Sequence, residues 1–188
     1  MGRINLRRYL MKTFIKITAV VMAMLICCAA FVSCGGGDTK SSDANGGDAG
    51  NAASVSGKTQ TWGNITVLVP DDMNFKGGSM LDEKDPNVVN ISKKDNATNY
   101  FLITINDDEE GVKSGVESTK KMNKGSEDVT FEAGTKWTGV SYDYSGTPAF
   151  QVYGKVDGKY VVIQSFGFKT DDDVTTSVLG SLKVKDAE

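Results

Sequence analysis

A glycine- and serine-rich stretch at residues 35–61 limits which part of this chain can fold. It consists mainly of Gly, Ser, Ala, Asn and Asp, and it contains no apolar side chain larger than valine. Burying such side chains cannot offset the entropy that is lost when a backbone becomes ordered. We therefore predict a disordered linker at residues 34–61. One domain is expected at residues 62–188, which is long enough to bury a core without disulfides.

The segment ahead of the linker has the pattern of a secretory signal peptide. Its charged side chains are all basic and lie within the first sixteen residues: Arg3, Arg7, Arg8, Lys12 and Lys16. Residues 17–32 are uncharged and mostly apolar, and small residues follow. This order predicts a signal peptide at residues 1–33, starting at Met1 or Met11. The alternative is an uncleaved membrane anchor, although the apolar run is shorter than the roughly 20 residues that span a bilayer.

The end of that segment, Phe31-Val32-Ser33-Cys34, resembles the lipobox of bacterial lipoproteins, in which a small residue precedes an obligatory cysteine. The resemblance implies cleavage before Cys34 and a diacylglyceryl group on its thiol. The membrane would then be a partner of this chain, through the lipid on Cys34, and the domain would lie outside the cytoplasm in the cell envelope. Phe31 departs from the pattern, which most often has leucine there.

Composition excludes several kinds of site and partner. Five of the 21 Lys and Arg residues precede Cys34 and none of the 24 Asp and Glu residues does, which leaves a net charge of −8 from Cys34 onward. That part has no Arg, so a nucleic-acid partner is not expected. The chain has no His, and Cys34 would be the only cysteine after processing. A disulfide, a Cys/His zinc site and a His-based triad are therefore excluded, and we expect no cofactor or metal.

The domain sequence predicts strands interrupted by two helices. Runs of apolar and β-branched residues predict strands at 65–69, 88–92, 100–105, 129–133, 137–144, 149–156 and 159–168. Asp157-Gly158 is a strong hairpin signal and should pair Val156 with Lys159. Residues 76–79 are predicted to form a turn.

One helix is predicted from the acidic residues 107–110, with Asp107 as N-cap, to Gly125. One narrow stripe should run along it, formed by Val112, Val116, Thr119 and Met122. A second should close the chain, capped by Thr170 or Asp171. Together these elements predict an α+β fold, in which helices pack on an antiparallel β-sheet of a monomeric domain.

This order of elements also resembles the PsbP-like domains of some bacterial lipoproteins. The resemblance rests on a first strand that ends in Pro70, a hairpin near the end of the chain, and the terminal sequence VLGSLKV at residues 178–184. Members of that group serve mostly as binding or assembly factors. The resemblance thus implies a binding role and not a catalytic one, by analogy of fold.

The residues offer one candidate surface and two weaker catalytic or metal sites. Trp137, Tyr142 and Tyr144 are a candidate surface for an envelope protein or a glycan, with ordinary packing in the sheet as the alternative. Residues 107–110 have the oxygens that calcium prefers, but consecutive acids at a helix start favour capping. Ser118 and Lys121 match an S-x-x-K motif without its usual companions. The sequence therefore favours a non-enzymatic binding or assembly factor over a small hydrolase that uses Ser/Lys or carboxylate chemistry.

Overall fold

The computed structural model describes residues 55–185, and all structural statements below refer to them. The elements are β1 (Gly57–Trp62), β2 (Ile65–Pro70), β3 (Met73–Gly77), β4 (Val88–Lys93), β5 (Tyr100–Asn106), α1 (Glu109–Met122), β6 (Glu127–Ala133), β7 (Thr135–Tyr144), β8 (Thr147–Val156), β9 (Lys159–Phe166), α2 (Asp173–Gly180) and β10 (Lys183–Val184). Within the described residues, neither helix is long and apolar enough to cross a bilayer.

The strands form two antiparallel sheets. The large sheet has seven strands in the order β3-β4-β5-β9-β8-β7-β6, and the small sheet has three in the order β1-β2-β10. Every pair of neighbouring strands is antiparallel. With the two helices, this architecture confirms the predicted α+β fold.

A single hydrophobic core joins the inner face of the large sheet to β2 and α2. The largest fully buried side chains of that face include Trp137, Phe101 and Phe150. Ile65 from β2 and Leu179 from α2 belong to the same cluster. Burial of this apolar surface is the main favourable term in the stability of the domain.

Helix α1 covers part of the opposite, outer face of the large sheet, above β7, β8 and β9. Its Val112, Val116 and Thr119 are buried, in agreement with the predicted stripe. Thr119 Oγ1 also donates a hydrogen bond of 2.6 Å to Gln151 Oε1 of β8. Met122, the fourth residue of that stripe, is 57% exposed and does not pack on the sheet.

The predicted hairpin between β8 and β9 is confirmed with its register, since Val156 pairs with Lys159. Asp157 and Gly158 have φ angles of 47° and 86°, as a type I′ turn requires at both central positions. Asp157 has a further role, because its Oδ2 accepts the N–H of Val184 at 2.9 Å. The turn therefore also holds the last described strand.

The predicted helix caps are wrong by one or two residues. Asp108 is the N-cap of α1, and Asp172 is the N-cap of α2. Asp107 precedes the cap, and its carboxylate accepts a hydrogen bond from Lys159 Nζ at 3.1 Å. Asp172 Oδ2 accepts the N–H of Lys169 at 2.7 Å, which closes the turn before the helix.

Three strands were not expected from the sequence. Strand β1 ends at Trp62, and its residues 57–61 lie inside the stretch predicted as linker; it pairs with β2 along its whole length. Strand β3 includes the first half of the turn predicted at residues 76–79. Strand β10 follows α2, which ends at Gly180 instead of continuing through the VLGSLKV sequence. Strand β1 forms a hairpin with β2 through Gly63-Asn64, and β3 pairs with the next strand, β4. Only β10 depends on pairing with a strand that is distant in the chain.

Candidate functional site

Four aromatic side chains cluster at one end of the outer face of the large sheet. Tyr100 pairs with Phe166 across β5 and β9, and Phe166 pairs with Ala149 of β8. Ala149 in turn pairs with Tyr142 of β7. Residues that are directly opposite in an antiparallel sheet share a face. Tyr142 and Phe166 therefore lie on one face with Tyr100, and Tyr144 extends the group by two positions. We call these four residues the aromatic surface.

Phe166 lies at the centre of the aromatic surface. Its ring is 6.3 Å from the ring of Tyr100, centroid to centroid, with an angle of 12° between the planes. The ring of Tyr144 meets it edge-on at 5.4 Å and 64°. Tyr144 is 47% exposed, which makes it one of the few large hydrophobic side chains that the described residues leave open to solvent. The aromatic surface is thus packed internally and exposed at its outer side.

Tyr142 connects the aromatic surface to an open cleft of about 350 Å³. Burial raises the pKa of Tyr142 above its usual range, and the neighbouring Tyr144 adds to the effect. The phenol therefore stays protonated and keeps its hydrogen-bond donor near neutral pH. The ionisable residues that line the cleft are Glu127, Asp143, Lys169 and Asp171. With three acids and one base, the cleft favours a neutral or cationic group over an anion.

Trp137 does not belong to the aromatic surface. Its side chain is fully buried, and its Nε1 donates a hydrogen bond of 3.0 Å to the carbonyl oxygen of Ala133. Successive side chains in a strand point to opposite faces, so Trp137 lies on the face opposite to Tyr142 and Tyr144. The sequence already indicated this difference, because an odd number of positions separates Trp137 from Tyr142 and from Tyr144 in one predicted strand.

Tyr100 and Phe166 were not identified from the sequence, because they join the two tyrosines only through the pairing of β5 with β9. Those strands are far apart in the chain and have no turn signal between them. Asp157-Gly158 was the one strong pairing signal, and it reports only the β8–β9 hairpin.

The acidic residues at the start of α1 are bonded to protein groups. Asp107 binds Lys159, and Glu109 Oε1 lies 2.7 Å from Lys113 Nζ. Hydrogen bonds from Lys113 and from Tyr160 lower the pKa of Glu109. Within residues 55–185, no group of His, Cys, Asp and Glu is arranged to hold a metal ion. Asp107 and Glu109 are thus engaged in ion pairs with lysines, and the side chain of the N-cap Asp108 makes no capping hydrogen bond.

The S-x-x-K residues lie on the exposed side of α1. Ser118 Oγ donates to the carbonyl oxygen of Ser114 at 2.7 Å, within the helix. Lys121 is exposed as well, and neither residue lines the cleft beside Tyr142. The structure therefore does not bring Ser118 and Lys121 together with a substrate-sized site. Cys34 lies outside the described residues, and its lipidation stays a prediction.

Comparisons with known proteins give little beyond the fold. No protein-family model matches the chain, and no curated protein matches it. It is similar to the solution structure of cyanobacterial PsbP (CyanoP) from Synechocystis sp. PCC 6803, at 12% identity and a TM-score of 0.45, over 74% of this chain and 98% of that one. It is also similar to a crystal structure from Bacteroides thetaiotaomicron VPI-5482, at 16% identity and a TM-score of 0.41, over 69% of this chain and 49% of that one. Because these values are low, function has to be inferred from the residues of this chain.

Proposed function

We propose that this chain is a lipid-anchored envelope protein whose domain binds a partner without catalysis. The observation that carries the proposal is the aromatic surface, in which an exposed Tyr144 is grouped with the half-buried Tyr100, Tyr142 and Phe166 at one end of the sheet. A monomeric domain rarely leaves such side chains grouped at its surface unless they contact a partner.

The chemistry of the aromatic surface suits recognition. Tyrosine combines a large apolar ring with a hydroxyl, and it loses little conformational entropy on binding because it has only two rotatable side-chain bonds. Aromatic faces stack on sugar rings as well as on protein side chains. The partner we propose is therefore an envelope protein or a glycan, held by ring contacts and oriented by the hydroxyls of Tyr142 and Tyr144.

The proposed anchor is the lipid on Cys34. A flexible segment between Cys34 and Gly57 would have a root-mean-square reach of roughly 23 to 28 Å, so the domain could search a shell next to the membrane. Two or more acyl chains hold a protein stably, whereas one chain is marginal. Mass spectrometry of membrane-extracted protein should show an acylated Cys34, and Cys34→Ser should move the protein to the soluble fraction. A Cys34→Ser protein that stays in the membrane would exclude this anchor.

A hydrolase is the less supported alternative. Ser118 is hydrogen bonded along its own helix, and the carboxylates of Asp107 and Glu109 are paired with lysines. Groups that are engaged in this way are less suited to act as a nucleophile or as a general base.

Substitution of Tyr144 with Ser tests the binding surface directly. The full-length tagged chain would be isolated after chemical cross-linking in the cells that produce it, and its binding to purified cell-wall glycan fragments would be measured separately. We expect Tyr144→Ser to reduce recovery of the partner or the glycan affinity by about tenfold, as loss of an exposed aromatic anchor usually does.

Met122→Ser is the matched control. It also removes an exposed large apolar side chain, 57% exposed, but from α1 and outside the aromatic surface. Equal losses for the two variants, or no loss for Tyr144→Ser, would rule out the aromatic surface as the binding site.

A further inference from the structure

A second exposed apolar feature lies in the loop between β3 and β4. Met80 is 68% exposed and Leu81 is 83% exposed, and these are the highest values among the large hydrophobic side chains of residues 55–185. Turn positions usually carry small or polar residues, so two adjacent large apolar side chains at a loop tip are unusual. We call residues 79–82 the Met80–Leu81 turn.

The Met80–Leu81 turn is held by hydrogen bonds at its base. The N–H of Ser79 donates to the carbonyl oxygen of Asp82 at 2.8 Å, and the N–H of Asp82 donates to Ser79 Oγ at 2.9 Å. The loop then packs tightly beneath the turn. Gly78 has a φ of 84°, and a Cβ at that position would come within 2.3 Å of the carbonyl oxygen of Glu83.

The rest of the loop is fixed to the small sheet. Trp62 Nε1 donates to the carbonyl oxygen of Asp85 at 2.8 Å, and the N–H of Asn64 donates to the carbonyl oxygen of Pro86 at 3.0 Å. A loop with this many backbone contacts presents Met80 and Leu81 in one geometry. Little conformational entropy would therefore be lost when a partner covers them.

The charges beside the turn select the kind of partner. The four residues after Leu81 are Asp82, Glu83, Lys84 and Asp85, which gives this loop three carboxylates and one ammonium group. Asp82 and Asp85 also accept backbone N–H groups of the loop, whereas Glu83 is exposed. An anionic bilayer would repel this group, and so would any surface rich in phosphate. A protein with an apolar pocket and a basic border would match both the apolar pair and the acidic residues.

We propose that the Met80–Leu81 turn is a docking site for a partner protein whose apolar pocket is bordered by Lys or Arg side chains. The site is separate from the aromatic surface. The turn follows the end of β3, whereas Tyr100 begins β5 and Phe166 ends β9, so the sheet register places them at opposite ends of the strands. The turn would thus bind a different partner from the one at the aromatic surface.

The test is site-specific photo-cross-linking in living cells that produce the full-length chain. A benzophenone-bearing amino acid would replace Leu81, and in a control protein it would replace Lys121, which is exposed on α1. We expect a protein adduct of a single mass from position 81 and none from position 121. Mass spectrometry would identify the adduct, and the purified partner would be used to measure affinity.

Two further variants test the two parts of the proposal. Met80→Ser should weaken the affinity for the purified partner by at least about tenfold, as removal of a central apolar contact does. Glu83→Lys should weaken it to a similar degree and reduce its dependence on salt. Neither side chain is buried, so the melting temperature of the domain should not change.

The opposite outcomes would overturn the proposal. A lipid adduct alone, or no adduct at position 81, would show that no protein docks on the turn. Affinity that is unchanged by Glu83→Lys would contradict the basic border of the partner. Tyr144→Ser should leave the adduct at position 81 intact, so failure of this proposal and failure of the aromatic surface can be told apart.

Discussion

The hydroxyl of Ser165 offers a direct test of the core. Ser165 is 2% exposed and pairs with Phe101 on one side and Phe150 on the other. Among the described residues, its Oγ is the one buried side-chain polar atom without a hydrogen-bond partner. Leaving a buried polar group unpaired costs about 1–3 kcal/mol. Ser165→Ala removes that cost. It loses only the van der Waals contacts of one oxygen atom, and each such contact contributes about 0.1–0.2 kcal/mol. We expect the free energy of unfolding to rise by about 1–2 kcal/mol.

The matched control is Ser181→Ala, which removes the same atom from a hydroxyl with two partners. Ser181 Oγ accepts the N–H of Leu68 at 2.8 Å and donates to the carbonyl oxygen of Val178 at 2.8 Å. Its removal leaves the N–H of Leu68 unpaired and should lower the free energy of unfolding by about 1–2 kcal/mol. Urea unfolding of a protein that comprises residues 34–188 measures both changes. A Ser165→Ala protein that is less stable than the wild type would refute the reasoning and would indicate a buried water bound to the hydroxyl.

Three other substitutions test separate features. Gly77→Ala should destabilise the domain by about 2 kcal/mol, because a Cβ there would stand 1.9 Å from the Trp62 ring; tryptophan fluorescence should report the displaced indole. Asp157→Ala should lower the free energy of unfolding by about 1–2 kcal/mol, since Ala disfavours a φ of 47° and the hydrogen bond from Val184 is lost. Asp157→Asn should unfold at nearly the same urea concentration as the wild type. A hydrogen bond to Glu109 raises the pKa of Tyr160. This hydrogen bond therefore stabilises the domain below the ordinary pKa of a phenol, and the stabilisation is lost as pH rises through the raised pKa of Tyr160. Tyr160→Phe should remove this alkaline loss of stability, as measured by unfolding curves at a series of pH values.

Local signals predicted the parts of the fold that are held by local structure. The β8–β9 hairpin has the turn residues Asp157 and Gly158 and alternating apolar residues on both sides, so its register was correct. Strand β1 also belongs to a local hairpin, with β2, but most of its side chains are exposed and polar, so no apolar pattern marked it as a strand. A composition-based boundary at Trp62 could not include it. The two residues of β10 are likewise too few to give a pattern.

The candidate site was predicted only in part, for a related reason. Tyr142 and Tyr144 share a face because they are two positions apart in one strand, and that relation is local. Tyr100 and Phe166 come from β5 and β9, whose pairing is settled by tertiary structure. The Met80–Leu81 turn was not singled out either, since the exposure of an apolar pair in a loop depends on what packs above it.

The position of β2 between β1 and β10 has a consequence for the order of folding. Strand β1 can pair with β2 as soon as residues 57–70 have been made. The hydrogen bond from Leu68 of β2 to Ser181, in contrast, joins residues that are 113 positions apart. Contacts between such distant residues form late, because the entropy of closing a long loop is lost before the contact forms. A chain made from its N-terminus can therefore form the β1–β2 hairpin early, but it cannot complete the small sheet until residues 181–184 are available.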